Sequence, residues 1–262
     1  MPKEGYYKLN FDENVLLVTP FFWNTIKSNF KLINKILYGK EKERSKLEGF
    51  EVYYSHIETG LKIRPTLDFY IKHVHFLEGK PIKKDKYFGN KSPEREFFNY
   101  LRLKHIRNTL SKNQRKKINF AEPLLCYHDY NNQMSYIVTE AVNNTITLDK
   151  LLKLKNLKIE TRFNAIKTVD ESLKLLHSKG ILYQDTNIEN FLISRTEINS
   201  CYFIDPEYAF FKEDEELQKR VFSSGKGFDQ MIDEELKRFR KYSGYEAISL
   251  EYQLQNIKNK LK

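Results

Sequence analysis

Two carboxylates and one carboxamide set into apolar sequence constrain this chain more than anything else in it. The segment GILYQDTNIENFLI reads as a short apolar strand, a polar loop carrying Asp185 and Asn190, and a second apolar strand; CYFIDPEYAFF then sets Asp205 into another apolar run. A carboxylate at the end of a buried strand costs several kcal/mol unless it is paired or binds a metal. Two such acids with an amide between them point to Mg²⁺, which prefers hard oxygen ligands.

The flanking sequence supports a folded, mixed architecture. Upstream of the loop, TRFNAIKTVDESLKLLHSKG carries Phe163, Ile166, Val169, Leu173 and Leu176 at helical spacing, which predicts a long buried helix closed by Gly180. The first half instead predicts strands. EVYYSHIE and LKIRPTLDFYIKHVHF meet at Thr59-Gly60, a hairpin signal, and AEPLLCYHDY and QMSYIVTEAV meet through Asn131-Asn132. Between these pairs, Ser92-Pro93-Glu94 has the chemistry of a helix start, predicting a helix over about 93–108. Near the end, FDQMIDEELKRFRKY and SLEYQLQNIKNKLK read as helices, and Leu250, Leu254, Ile257 and Leu261 form one stripe expected to pack into the core, with an interfacial membrane helix as the alternative.

Composition excludes several classes. With 40% hydrophobic and 14% aromatic residues among 262, the chain is too apolar for disorder and long enough for one large domain or two lobes. Cys126 and Cys201 stand far apart without zinc-ligand spacing, so neither a disulfide framework nor a zinc site is expected. No apolar run reads as a signal peptide or a membrane span. The net charge of +10 fits either a Lys-rich surface or attraction to an anionic partner. Its denser groups are Lys80, Lys83, Lys84 and Lys86, and Lys112, Arg115, Lys116 and Lys117; neither has the interleaved aromatics of an RNA-binding motif.

YQDTNIEN resembles the catalytic loop of protein kinases, and IDPE stands where the metal-binding DFG triplet of that superfamily stands. The resemblance implies that Asp185 is the base receiving the acceptor hydroxyl proton, and that Asn190 and Asp205 hold Mg²⁺ on the phosphates of ATP. It also implies a strand lysine, Lys72, paired with Glu96 or, as second choice, Glu94, and a hinge at Glu140, Ala141 and Val142 that meets adenine. The residues themselves leave alternatives open: Lys72 as a solvated strand lysine, the two glutamates as first-turn acids complementing a helix N-terminus, and 140–142 as an ordinary edge strand. Asp229 either caps its helix or holds the catalytic-loop backbone.

The sequence departs from the kinase pattern in several places. No glycine-rich loop precedes Lys72, Tyr70 stands where a small residue usually lies beneath adenine, Tyr183 and Gln184 replace His and Arg before Asp185, and Pro206-Glu207 replace Phe-Gly. Glu207 either adds a metal contact or orients Asp205. The short C-terminal part resembles the minimal kinases of this superfamily, such as the lipopolysaccharide core sugar (Kdo/heptose) kinases.

The expected fold is therefore α+β and bilobal, with an antiparallel N-terminal lobe over 1–142 and a reduced, mainly helical catalytic lobe over 143–262. The expected activity is transfer of the γ-phosphate of ATP to a hydroxyl on a sugar or glycolipid, in the cytoplasm or at the inner face of a membrane. An atypical Ser/Thr protein kinase and a catalytically inactive kinase-like binding module are the alternatives, and nucleic acid ranks last among partners.

Overall fold

A computed structural model describes residues 5–11, 14–27, 43–47, 50–58, 66–75, 92–129, 134–215, 219 and 223–260. The turn expected at Thr59-Gly60, the junction Asn131-Asn132, the Lys80–Lys86 group and Leu261 lie outside the described residues. The fold is α+β with antiparallel sheet, as the sequence predicts, and the chain divides into two compact units. One comprises Met1–Arg102 with Ala121–Val142, the other Leu103–Phe120 with Asn143–Lys262.

The first unit is built on a seven-stranded sheet in the order Tyr7–Phe11, Asn14–Val18, Pro123–Asp129, Met134–Glu140, Thr66–His75, Phe50–Glu58, Glu43–Leu47. Every neighbouring pair is antiparallel. Alternation decides the faces. Leu67, Phe69 and Ile71 are buried with Leu16, Val18, Leu125 and Val138, and the short helix Pro20–Ile26 adds Phe22 and Ile26 to that core. Tyr70 and Lys72 therefore occupy the opposite face, where Tyr70 is 43% exposed. The Tyr7–Phe11 and Asn14–Val18 strands were not foreseen; their runs are too short to stand out from the polar residues around them.

The second unit is organised by the long helix Ile159–Ser178, whose Ala165, Ile166, Val169, Leu173 and Leu176 are all buried. It packs with a four-stranded sheet ordered Ile118–Phe120, Cys201–Phe203, Phe191–Ser194, Thr145–Thr147. The first pair is parallel and the others antiparallel. Gly180 ends the helix as predicted: its φ is +75°, its amide donates to His177 O at 2.9 Å, and an added Cβ would lie 3.1 Å from Lys212 Cβ. Only glycine takes that turn without strain.

Two helices, Phe228–Ser243 and Tyr245–Lys260, complete the unit. The expected core stripe of the last helix is overturned: Leu250, Leu254 and Ile257 are 58%, 51% and 54% exposed. The helix docks by another face. Tyr245 and Ile248 pack against the core, and Tyr252 stacks on Phe163 with ring centroids 4.6 Å apart. This helix has two apolar faces, and a flat aromatic pair at the long helix selects the one that carries tyrosines. Cys126 and Cys201 are both free and buried, and burial pushes each thiol well up from its ordinary range. No helix among the described residues is long and apolar enough to cross a membrane.

Asp170 ties two helices together. Arg240 reaches it from the Phe228–Ser243 helix with Nε at 2.8 Å and Nη2 at 3.4 Å, and Lys174 Nζ lies 2.7 Å away. Burial alone would raise the Asp170 pKa, but these cationic hydrogen bonds outweigh it and hold the carboxyl below its usual value. A depressed carboxyl pKa contributes stability above the ordinary aspartate range, and the contribution fades as pH falls through the folded-state value. Arg240→Met should therefore destabilise the protein by about 2 kcal/mol at neutral pH. Urea denaturation should show that loss shrinking in acid; an equal loss at both pH values would contradict this role.

Candidate active site

A buried carboxylate on the Phe228–Ser243 helix fixes the entry to the Asp185–Asn190 loop. Glu235 is 1% exposed, on the same helix face as Ile232, Leu236 and Phe239. Its Oε1 accepts from His177 Nε2 at 2.9 Å and from Tyr183 N at 3.2 Å, and its Oε2 accepts from Gln184 N at 3.0 Å. An isolated buried carboxylate would cost several kcal/mol; three donors offset that cost and make the loop backbone depend on this one side chain. Asp229, the sequence candidate for holding the loop, instead lies exposed in the first turn of the same helix, where it complements the helix N-terminus. Sequence reasoning missed Glu235 and gave His177 no role. The available signal was an acid at a helix position that periodicity assigns to the core.

From that anchor the chain turns sharply. Asp185 N donates to Tyr183 O at 2.8 Å across Gln184, whose φ is +57°. Asn190 Nδ2 then donates to Asp185 O at 3.3 Å, and Asp185 Oδ1 accepts from Asn187 N at 3.4 Å. The 3₁₀ turn Ile188–Asn190 leads into the Phe191–Ser194 strand, where Phe191 is in register with Phe203. One step beyond that pair, Ile204 N donates to Asn190 O at 3.0 Å, so Asn190 and Asp205 leave the ends of neighbouring strands together.

Asp205 has φ +58° and ψ +56°, a left-handed conformation uncommon for a non-glycine residue and one that aspartate tolerates better than most. One of its carboxylate oxygens and one of Glu207 lie within 4.8 Å of each other. Tyr183 links the two strands: its hydroxyl donates to Ile204 O, and its ring meets Phe203 and Phe191 with centroids 5.0 and 5.9 Å away. A residue first noted as a departure from the kinase pattern thus joins the loop to the Asp205 turn.

In the first unit, Lys72 Nζ donates to Glu96 Oε2 at 2.9 Å, with side chains 13% and 4% exposed. Glu96 comes from the Ser92–Thr109 helix, whose Glu94 lies 3.5 Å from His128 Nε2 instead. At 140–142, Glu140 N donates to Glu122 O and Ala141 N to Asp68 O, both at 2.8 Å. Two of the amides expected to face adenine are therefore committed within the unit itself. Tyr70 packs on Tyr54 with ring centroids 5.5 Å apart.

An open cavity of about 540 Å³ adjoins Asp185. Gln184, Thr186 and Asn187 line it beside Asp185, with Asp149 from the Leu148–Leu152 helix and Arg238 and Tyr242 from the Phe228–Ser243 helix. Neither Arg238 nor Tyr242 was a sequence candidate.

Residues 98–220 match the lipopolysaccharide kinase (Kdo/WaaP) family. The Kdo/WaaP match takes in Asp185, Asn190 and Asp205, the residues on which the kinase-like resemblance rests. Lys72, Glu96, Glu235 and Arg238 lie outside it. The family is one of kinases. No curated protein shows a significant match to the chain.

Replacing Glu235 by glutamine sets a donor against amides that need an acceptor. Glu235→Gln should lower stability by about 3 kcal/mol. Hydrogen exchange at the Tyr183 and Gln184 amides should accelerate with it, and protection unchanged at those two amides would contradict the assigned support.

Proposed function

We propose that this chain is an ATP- and Mg²⁺-dependent phosphotransferase that moves the γ-phosphate to a hydroxyl of a sugar or glycolipid of the lipopolysaccharide-core type. The observation that carries the reading is the pairing of Asn190 with the Asp205 turn through the Ile204 N to Asn190 O bond, with Asp185 tied to the same Asn190 side chain. Phosphoryl transfer asks chiefly for positioned oxygen ligands, a positioned base and positive charge.

The donor set fits Mg²⁺ on its chemistry. Asn190 spends its Nδ2 on Asp185 O, which leaves the carboxamide oxygen for a cation, and Asp205 and Glu207 add carboxylate oxygens in close reach of one another. No thiolate or imidazole belongs to the set, so hard cations are favoured over zinc or copper. When bound, the metal supplies charge neutralisation on the phosphates. Asp185 receives the proton of the acceptor hydroxyl, held in place by the Glu235-anchored backbone. Lys72 meets the nucleotide phosphates, with Glu96 fixing its ammonium group. Glu140, Ala141 and Val142 border the base and meet it through groups other than the Glu140 and Ala141 amides. The family name suggests a lipopolysaccharide acceptor, and a net charge of +10 suits an acidic glycolipid at a membrane surface.

Calorimetry should detect ATP binding that needs Mg²⁺ and is lost with chelator. Lys72→Met should weaken it at least about tenfold, and Asp205→Asn should remove its metal dependence. Incubation with γ-labelled ATP, purified lipopolysaccharide core saccharide and a generic protein acceptor then separates the readings. Label on the saccharide supports the proposal, and label on protein replaces it with a protein kinase. Absence of ATP binding and turnover would leave an inactive kinase-like module.

A further inference from the structure

The Phe228–Ser243 helix does more than hold the catalytic loop. Glu235, Arg238 and Tyr242 follow one another at spacings of three and four, which puts them on one side of the helix. Glu235 faces the loop backbone, and Arg238 and Tyr242 line the cavity of about 540 Å³ that Asp185 opens into. That volume suits a small polyhydroxylated ligand. The helix therefore holds the backbone that leads into Asp185 and forms one wall of the adjoining pocket.

The charges of that pocket are unequally satisfied. Asp149 is bonded to Lys153 Nζ at 2.7 Å. Arg238 donates one Nη1 hydrogen bond, at 3.2 Å, to Gln184 O and makes no hydrogen-bonded ion pair among the described residues. Two positions on, Arg240 is fully engaged with buried Asp170. Nearby Glu234 is bonded to Lys226 at 2.7 Å. Exposed Arg238 thus has a guanidinium oriented by one hydrogen bond to the Gln184 carbonyl, and its remaining donors have no carboxylate hydrogen-bonded to them among the described residues. A guanidinium offers its donors as a planar fork that matches carboxylate and phosphate oxygens. Tyr242, 55% exposed, adds a ring face and a hydroxyl at the same wall.

We infer that Arg238 recognises an anionic group on the phosphate acceptor, so that this pocket selects a sugar acid or a sugar phosphate over a neutral sugar. The inference rests on the phosphotransferase reading for what the bound anion belongs to, while the anion site itself stands on the pocket. Arg238 is then a specificity-determining residue, and Gln184 O is the group that orients it. The left-handed turn at Gln184 serves both ends: it precedes Asp185, which lines the pocket, and its carbonyl accepts from the guanidinium.

The test follows the Arg238 side-chain Nε–Hε resonance in the full chain, assigned by its loss in Arg238→Gln, during titration with glucuronate, glucose 6-phosphate and glucose. A saturable shift with glucuronate, glucose 6-phosphate or both is expected, with none from glucose; which anion acts identifies carboxylate or phosphate as the recognised group. Competition binding should show the active anion weakened at least about tenfold by Arg238→Gln. Substitution of the exposed neighbour, Lys237→Gln, should leave it unchanged. Anion affinity surviving Arg238→Gln, an equal loss in Lys237→Gln, or no shift with either anion would overturn the inference. Loss of Mg²⁺-dependent ATP binding with the Arg238 site intact would instead overturn the phosphotransferase reading alone.

Discussion

The whole Asp185–Asn190 loop hangs from one buried carboxylate. Glu235 spends both oxygens on the Tyr183 and Gln184 amides and on His177, and these bonds fix where the chain enters its left-handed turn at Gln184. Everything downstream inherits that position: Asp185, then the Asn190 bond back to Asp185 O, then the strand pairing that delivers Asp205. Because the carboxylate is buried, its hydrogen bonds are strong and their loss is expensive, which constrains the backbone leading into Asp185.

Two of the three described non-glycine residues with positive φ, Gln184 and Asp205, sit at this loop and this turn. Such conformations cost of order 1–3 kcal/mol each and persist when packing and hydrogen bonds over-determine them. Tyr183 supplies part of that constraint, since it is clamped between Phe191 and Phe203 while its hydroxyl holds Ile204 O. The residue pair that replaces the kinase His-Arg therefore keeps a structural role. It does so with an aromatic anchor and a turn in place of a cationic one.

Much of this was legible in the sequence because it depends on local contrast. Polar residues inside apolar runs exposed the Asp185–Asn190 loop and Asp205, and the resemblance to kinases singled out Lys72 and Glu96. Helical spacing found the long helix and its Gly180 terminus. What stayed hidden depends on distant partners. Glu235 meets groups 51 to 58 positions away, so nothing local distinguishes it from the surface glutamates beside it, apart from its place on the apolar stripe. The last helix misled for a related reason: Leu250, Leu254 and Ile257 form as good a stripe as Tyr245, Ile248 and Tyr252, and periodicity cannot tell which one finds a partner such as Phe163.

The most direct measurement of the central claim is the single-turnover rate of γ-phosphate transfer by Asp185→Asn beside the wild-type chain, with Mg²⁺-ATP affinity measured on both. Loss of about 10²–10⁴ in rate with affinity nearly unchanged is the predicted result, since a general base contributes to the chemical step and little to nucleotide binding. Transfer at the wild-type rate without that carboxylate would contradict the account.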